Sequence, residues 1–76
     1  MVQPVDIKIW IEEGMPDASV EVDGDGAHFE AIIVSKQFAG KNLLQRHRMI
    51  YDILGDKMRA DIHALSLKTL TPDQNQ

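Results

Sequence analysis

Apolar spacing along the chain switches between helical and alternating patterns, and each switch marks an element. Between Val5 and Glu13, Ile7 and Ile11 recur at helical spacing with Trp10 beside them. This predicts an amphipathic first helix with Trp10 as a core anchor. Gly14, followed by Met15-Pro16-Asp17, is a stop signal. Ser19-Val20-Glu21-Val22-Asp23 then alternates polar and apolar residues, the mark of a half-buried strand. Asp23-Gly24-Asp25-Gly26 supplies a tight turn, and the apolar run Phe29-Glu30-Ala31-Ile32-Ile33-Val34 suits a central strand. Together these predict a hairpin.

Asn42 is a good N-cap, with Gln45 three residues on, as in a capping box. Leu44, His47, Tyr51, Leu54 and Met58 form the stripe of a second helix, widened by Leu43 and Ile50. Gly55 lies inside it at a cost of about 1 kcal/mol relative to alanine, and Arg59-Ala60-Asp61 closes it. Gly40 allows a sharp entry. His47, within the stripe, is expected to be half-buried and hydrogen-bonded. Ile62 to Thr69 reads as a third strand, in which Leu65 and Leu67 alternate with Ser66 and Lys68. His63 shares the parity of the leucines and is expected at the end of the buried face. After Pro72 any helix is vestigial.

The order α-β-β-α-β defines an α+β fold, a three-stranded sheet with the helices on one face. The second and third strands are joined through a helix, and such a crossover normally links parallel strands with right-handed sense. With the antiparallel hairpin, the sheet is mixed.

Seventy-six residues make one domain, spanning 1–76, that buries about 60–65% of its unfolded surface. A binding surface is easier to build at this size than a deep cleft. No nucleophile–base pair or facing carboxylates suggest an enzyme. No apolar run approaches the roughly 18 residues that span a membrane, and the opening Met1-Val2-Gln3-Pro4-Val5-Asp6 lacks the blocks of a secretory signal. There is no cysteine, hence no disulfide framework. A cytoplasmic protein, monomeric in isolation, is expected.

The net charge of −4 hides a division. Residues 1–35 carry one base, Lys8, against eight acids, whereas residues 36–69 carry seven bases against three acids. The basic half is either a surface for an anionic partner or a solvated helix face. The turn at Gly24-Asp25-Gly26 is no phosphate cradle: no lysine follows, it leads into a strand, and its aspartates repel phosphate.

His28 opens the second strand and His63 the third. If these strands are parallel neighbours, about 4.8 Å apart, their N-terminal ends lie together and both imidazoles come within reach of one metal or cluster. Two ligands leave the coordination sphere incomplete. A two-imidazole half-site makes sense when a partner supplies thiolates, since clusters held by two imidazoles and two thiolates exist. The other reading is a strand-capping histidine and an exposed turn histidine.

Phe38-x-Gly40, then Gln45-Arg46-His47-Arg48-x-Ile50-Tyr51, Ile62-His63-Ala64-Leu65 and Thr69-x-Thr71-Pro72 together resemble the BolA family. The match extends back through Gly24-Asp25-Gly26-Ala27-His28-Phe29, a turn most similar to that of the IbaG-like bacterial branch. The resemblance implies a fold similar to a type II KH domain. It also implies a heterodimer with a monothiol, CGFS-type glutaredoxin that shares a [2Fe–2S] cluster. His63 is implied as one cluster ligand and His28 as the other, with the partner's cysteine and a glutathione thiolate completing the sphere. The implied function is that of a non-enzymatic iron–sulfur partner protein in cluster trafficking or iron and redox sensing.

The family is also associated with transcriptional regulation, so the second reading is a DNA-binding regulator using the basic helix-turn-helix-like segment 36–59. Lys41, Arg46, Arg48 and Lys68 are the candidates for docking glutathione, an acidic partner patch or nucleic acid. Two features depart from the pattern. Gly40-Lys41-Asn42-Leu43 keeps only the first glycine of a KH-type Gly-x-x-Gly loop, which removes that support for RNA binding. The C-terminal helix common in the family is nearly missing.

Overall fold

The computed structural model describes all 76 residues. In chain order the elements are helix α1 (Pro4–Gly14), strands β1 (Ser19–Gly24) and β2 (His28–Val34), a 3-10 turn at Lys36–Phe38, helices α2 (Leu43–Leu54) and α3 (Asp56–Ala60), strand β3 (Ala64–Leu70) and a 3-10 turn at Asp73–Asn75. The sheet order is β1-β2-β3; β1 pairs antiparallel and β3 parallel with β2. This is the α-β-β-α-β mixed sheet that the sequence predicts, with helices packed on one face.

Pro4 starts α1, where its missing N–H costs no helical bond, and Asp6 Oδ2 accepts from the Gln3 N–H at 2.8 Å. Ile7 and Ile11 from this helix are fully buried. Trp10 is only half-buried, with the Lys57 ammonium 5.0 Å above its ring. The expected core anchor is thus a boundary residue whose π-face meets a cation. Met15 takes the interior place beyond the helix end. Gly14 does more than stop the helix: a Cβ there would sit 2.5 Å from Ile53 Cγ2, so its bareness lets α1 lie close against α2.

The central strand β2 buries Phe29, Ala31 and Ile33 and exposes His28, Glu30 and Ile32. Its apolar residues point to both faces of the sheet. The sheet has helices on only one, so Ile32 faces the open side beside Lys68 and Glu21 in register.

Two expectations about the second helix need correction. It is not continuous through Gly55, which adopts φ 53° and ψ −127° and breaks the path into α2 and α3. The buried face is also rotated from the expected stripe. Ile50 and Leu54 are its centre, with Met49 and Ile53 beside them. Leu44 is 66% exposed, Leu43 64% and Tyr51 40%, because α2 sets Ile53 against Gly14 and turns Ile50 and Leu54 into the core instead. The capping box at its start is present, with Asn42 Oδ1 accepting from the Gln45 N–H and Gln45 Oε1 from the Asn42 N–H, both at 2.9 Å.

A polar knot fastens the loop before β1 to the end of β2. Asp17 accepts hydrogen bonds from the Ser35 hydroxyl, at 2.7 Å, and from the Gln37 side-chain amide. Ser35 is buried, and its Oγ also accepts from the Gln37 N–H at 3.0 Å. The Gln37 amide first, and Ser35 second, hold the Asp17 carboxyl below its ordinary value of 3.8. A carboxylate with a lowered folded-state value stabilises the fold above its unfolded value and loses that contribution as pH falls through the folded one. Asp17→Ala therefore lowers stability in neutral urea titrations, and the gap to the parent protein closes below 3.8. A gap of unchanged size at about pH 2 would contradict this assignment.

Candidate functional site

The histidines predicted as ligands sit at one end of the sheet. His28 is the first residue of β2, and β3 runs parallel beside it with Ala64 opposite His28. His63 immediately precedes Ala64, one step outside the strand, in a bend. It is exposed, not tucked at the end of the buried face as its parity suggests. Strand alternation does not govern a residue whose backbone has already left the ladder. Ile62, on its other side, fills the buried position instead.

His28 is also exposed. It borders a shallow hollow with Asp23, Gly24, Asp25 and Glu30. His63 borders a neighbouring hollow with Asp25, Gly26, Ala27 and Asp61. The two imidazoles thus occupy one rim, on either side of the β1–β2 turn. No group of three or more His, Asp or Glu side chains is arranged to hold a metal ion anywhere in the chain. The donor set fits a group whose remaining ligands come from outside the chain, and it does not form a self-sufficient metal site.

The turn is built on Asp25, whose importance is not apparent from sequence pattern alone. Its Oδ1 accepts from the N–H groups of Ala27 and His28, both at 2.9 Å. The His28 N–H first and the Ala27 N–H second hold the carboxyl below its ordinary value. The available signal was Asp followed by Gly, which favours a side chain that bonds backbone two or three residues on.

The third histidine stands apart. His47 lies on α2, half-buried, with its ring edge-on to Tyr51 at 6.5 Å between centroids. Its Nε2 is buried and has no hydrogen-bond partner within the protein, so the expected internal hydrogen bond at this atom is absent. The neighbouring Arg46 reaches Thr69, near the C-terminal end of β3. That point is about 16 Å along the strand from the histidine rim, at roughly 3.3 Å per residue. No group of three such side chains joins His47 to the His28–His63 rim.

Among the docking candidates, Arg46 is engaged by its own chain. Its Nε donates to the Lys41 carbonyl at 2.9 Å, and its Nη1 donates to the Thr69 carbonyl at 3.2 Å and to Gln74 Oε1 at 2.8 Å. The guanidinium also lies 5.8 Å from the centre of the buried Phe38 ring. Arg46 thus joins the start of α2, the end of β3 and the C-terminal turn. Lys41, Arg48 and Lys68 are exposed and form no ion pair. Lys68 lies on the open sheet face, opposite Ile32. The structure does not gather these cations at the histidine rim. Nor is any helix long and apolar enough to cross a membrane.

A family model described as BolA-like protein matches residues 2–74, and the chain belongs to the BolA family. The structure of a bolA protein homologue from Coxiella burnetii is 51% identical, covers 99% of this chain and 97% of that one, and superposes with a TM-score of 0.92. The BolA domain of SufE1 from Arabidopsis thaliana is 35% identical over 92% of each chain, with a TM-score of 0.80. The DNA-binding transcriptional regulator BolA of Escherichia coli (strain K12) is 44% identical over 48 residues, which cover 63% of this chain and 46% of that protein. The aligned part spans between 13% and 55% of the length of the first curated relatives.

Proposed function

We propose that this protein is a non-enzymatic iron–sulfur partner that binds a monothiol glutaredoxin and shares a [2Fe–2S] cluster with it, in cluster trafficking or iron and redox sensing. The observation that carries the proposal is the parallel β2–β3 register, which sets His28 beside Ala64 and leaves His63 next to it on the same exposed rim. His28 and His63 would hold the cluster through neutral imidazole nitrogens, and the partner's cysteine and a glutathione thiolate would complete the sphere. Bound there, the cluster supplies one-electron chemistry and iron–sulfur cargo. The protein's part is to present two nitrogens and leave the other positions open.

Membership in a family of regulatory and adaptor proteins supports the non-enzymatic reading. The likeness to a domain of SufE1 supports a link to iron–sulfur biology. The turn sequence Gly24-Asp25-Gly26-Ala27-His28 supports placement in the IbaG-like bacterial branch. A cytoplasmic location belongs to the same proposal.

Mixing this protein with cluster-loaded glutaredoxin is expected to change the visible spectrum, because nitrogen replaces sulfur at one iron. His63→Ala and His28→Ala each remove most of that change. A spectrum unaltered by both substitutions would overturn the ligand assignment.

The likeness to a DNA-binding regulator favours a second reading, in which segment 36–59 contacts nucleic acid. Phosphate contacts make affinity fall steeply with salt, by roughly tenfold or more between about 50 and 200 mM for a few contacts. Gel shifts at two salt concentrations test it. Lys41→Ala and Arg48→Ala weaken binding if this reading holds; no shift at low salt eliminates it.

A further inference from the structure

The hollow beside His28 and the hollow beside His63 have one residue in common, Asp25. This residue grips the backbone of His28 from both sides. Its Oδ1 accepts the His28 N–H at 2.9 Å, and its own N–H donates to the His28 carbonyl at 3.1 Å. A third bond, from the Ala27 N–H at 2.9 Å, fixes the residue before it. The end of β1 presses on the same carbonyl: a Cβ at Gly24 would stand 2.4 Å from the His28 oxygen and 2.6 Å from Phe29 Cδ1. Gly26, with φ 99°, takes the left-handed conformation that the turn needs between Asp25 and Ala27.

His28 therefore enters β2 from a backbone held at both its polar atoms, although its side chain is exposed. His63 receives no such hold. Neither its N–H nor its carbonyl takes part in a turn, loop or capping hydrogen bond, and it precedes the ladder of β3. The two imidazoles are thus unequal, one on a fixed backbone and one in a bend.

We infer that Asp25 is the positioning residue of the histidine pair, an acceptor that fixes where the His28 imidazole leaves the turn and so where His63 must come to meet it. The inference rests on His28 and His63 being the cluster ligands. It assigns Asp25 no place among the ligands; its Oδ1 is directed to the backbone N–H groups of Ala27 and His28.

The test uses the full chain with Asp25→Ala and Asp25→Asn. The asparagine keeps an Oδ1 acceptor and the alanine removes it. In the protein alone, Asp25→Ala speeds hydrogen exchange at the Ala27 and His28 amides on the order of tenfold, measured against the core amide of Ile33, as expected for loss of about one net hydrogen bond. Asp25→Asn leaves both close to the parent rate. With cluster-loaded glutaredoxin, Asp25→Ala loses most of the spectral change and Asp25→Asn retains it. Unaltered exchange in Asp25→Ala, or equal spectral loss in the two variants, overturns the positioning role even where His28→Ala still abolishes the spectral change. Silent His28→Ala and His63→Ala spectra instead overturn the ligand reading, and this inference with it.

Discussion

The structure depends on the parallel pairing of β2 with β3. A hairpin strand would have run β3 the other way and placed His63 at the far end of the sheet from His28. The crossover through α2 and α3 returns the chain to the end from which β2 began, so both strands start at the same rim. Parallel neighbours need such a connection because a tight turn cannot reverse the chain twice. The packing of Ile50 and Leu54 over Phe29, Ala31 and Ile33 makes that connection stable, since burying these side chains is the main favourable term available to a chain of this size. The chemistry at the rim is therefore a consequence of the core beneath it.

The two ends of the sheet have different roles. At the end where β2 and β3 begin, exposed imidazoles flank an acidic turn with nothing in the chain to complete a coordination sphere. Towards the other end, Arg46 binds together three segments through hydrogen bonds to Lys41, Thr69 and Gln74. Its guanidinium suits this task because it offers several donors in a fixed plane. The end where β2 and β3 begin is left open to solvent, while the opposite end is closed by the protein's own side chains.

Much of this was legible in the sequence. The alternation at Ser19–Asp23, the Gly-Asp-Gly turn and the helix between the last two strands were enough for the mixed sheet and for the shared rim of His28 and His63. Local signals carried these features: period, turn chemistry and a capping box at Asn42. What escaped depends on how elements meet. The rotation of α2 is set by its contact with Gly14 and the sheet, and its stripe alone allows Tyr51 and Leu44 inside. The break at Gly55 depends on a conformation that glycine permits without requiring. Arg46 reads as a docking charge until its partners, more than twenty residues away in the case of Thr69 and Gln74, are brought beside it. The exposure of His63 follows from β3 beginning at Ala64, two residues later than the Ile62 start its pattern suggests.

The central claim is that this protein supplies two nitrogens to a cluster whose sulfur ligands belong to a partner. The most direct measurement is anaerobic co-purification with a monothiol glutaredoxin and glutathione, followed by quantification of iron, acid-labile sulfide and both chains. The account predicts a heterodimer containing about two irons and about two sulfides. A cluster that remains wholly with the glutaredoxin while this protein elutes separately and free of iron would contradict it.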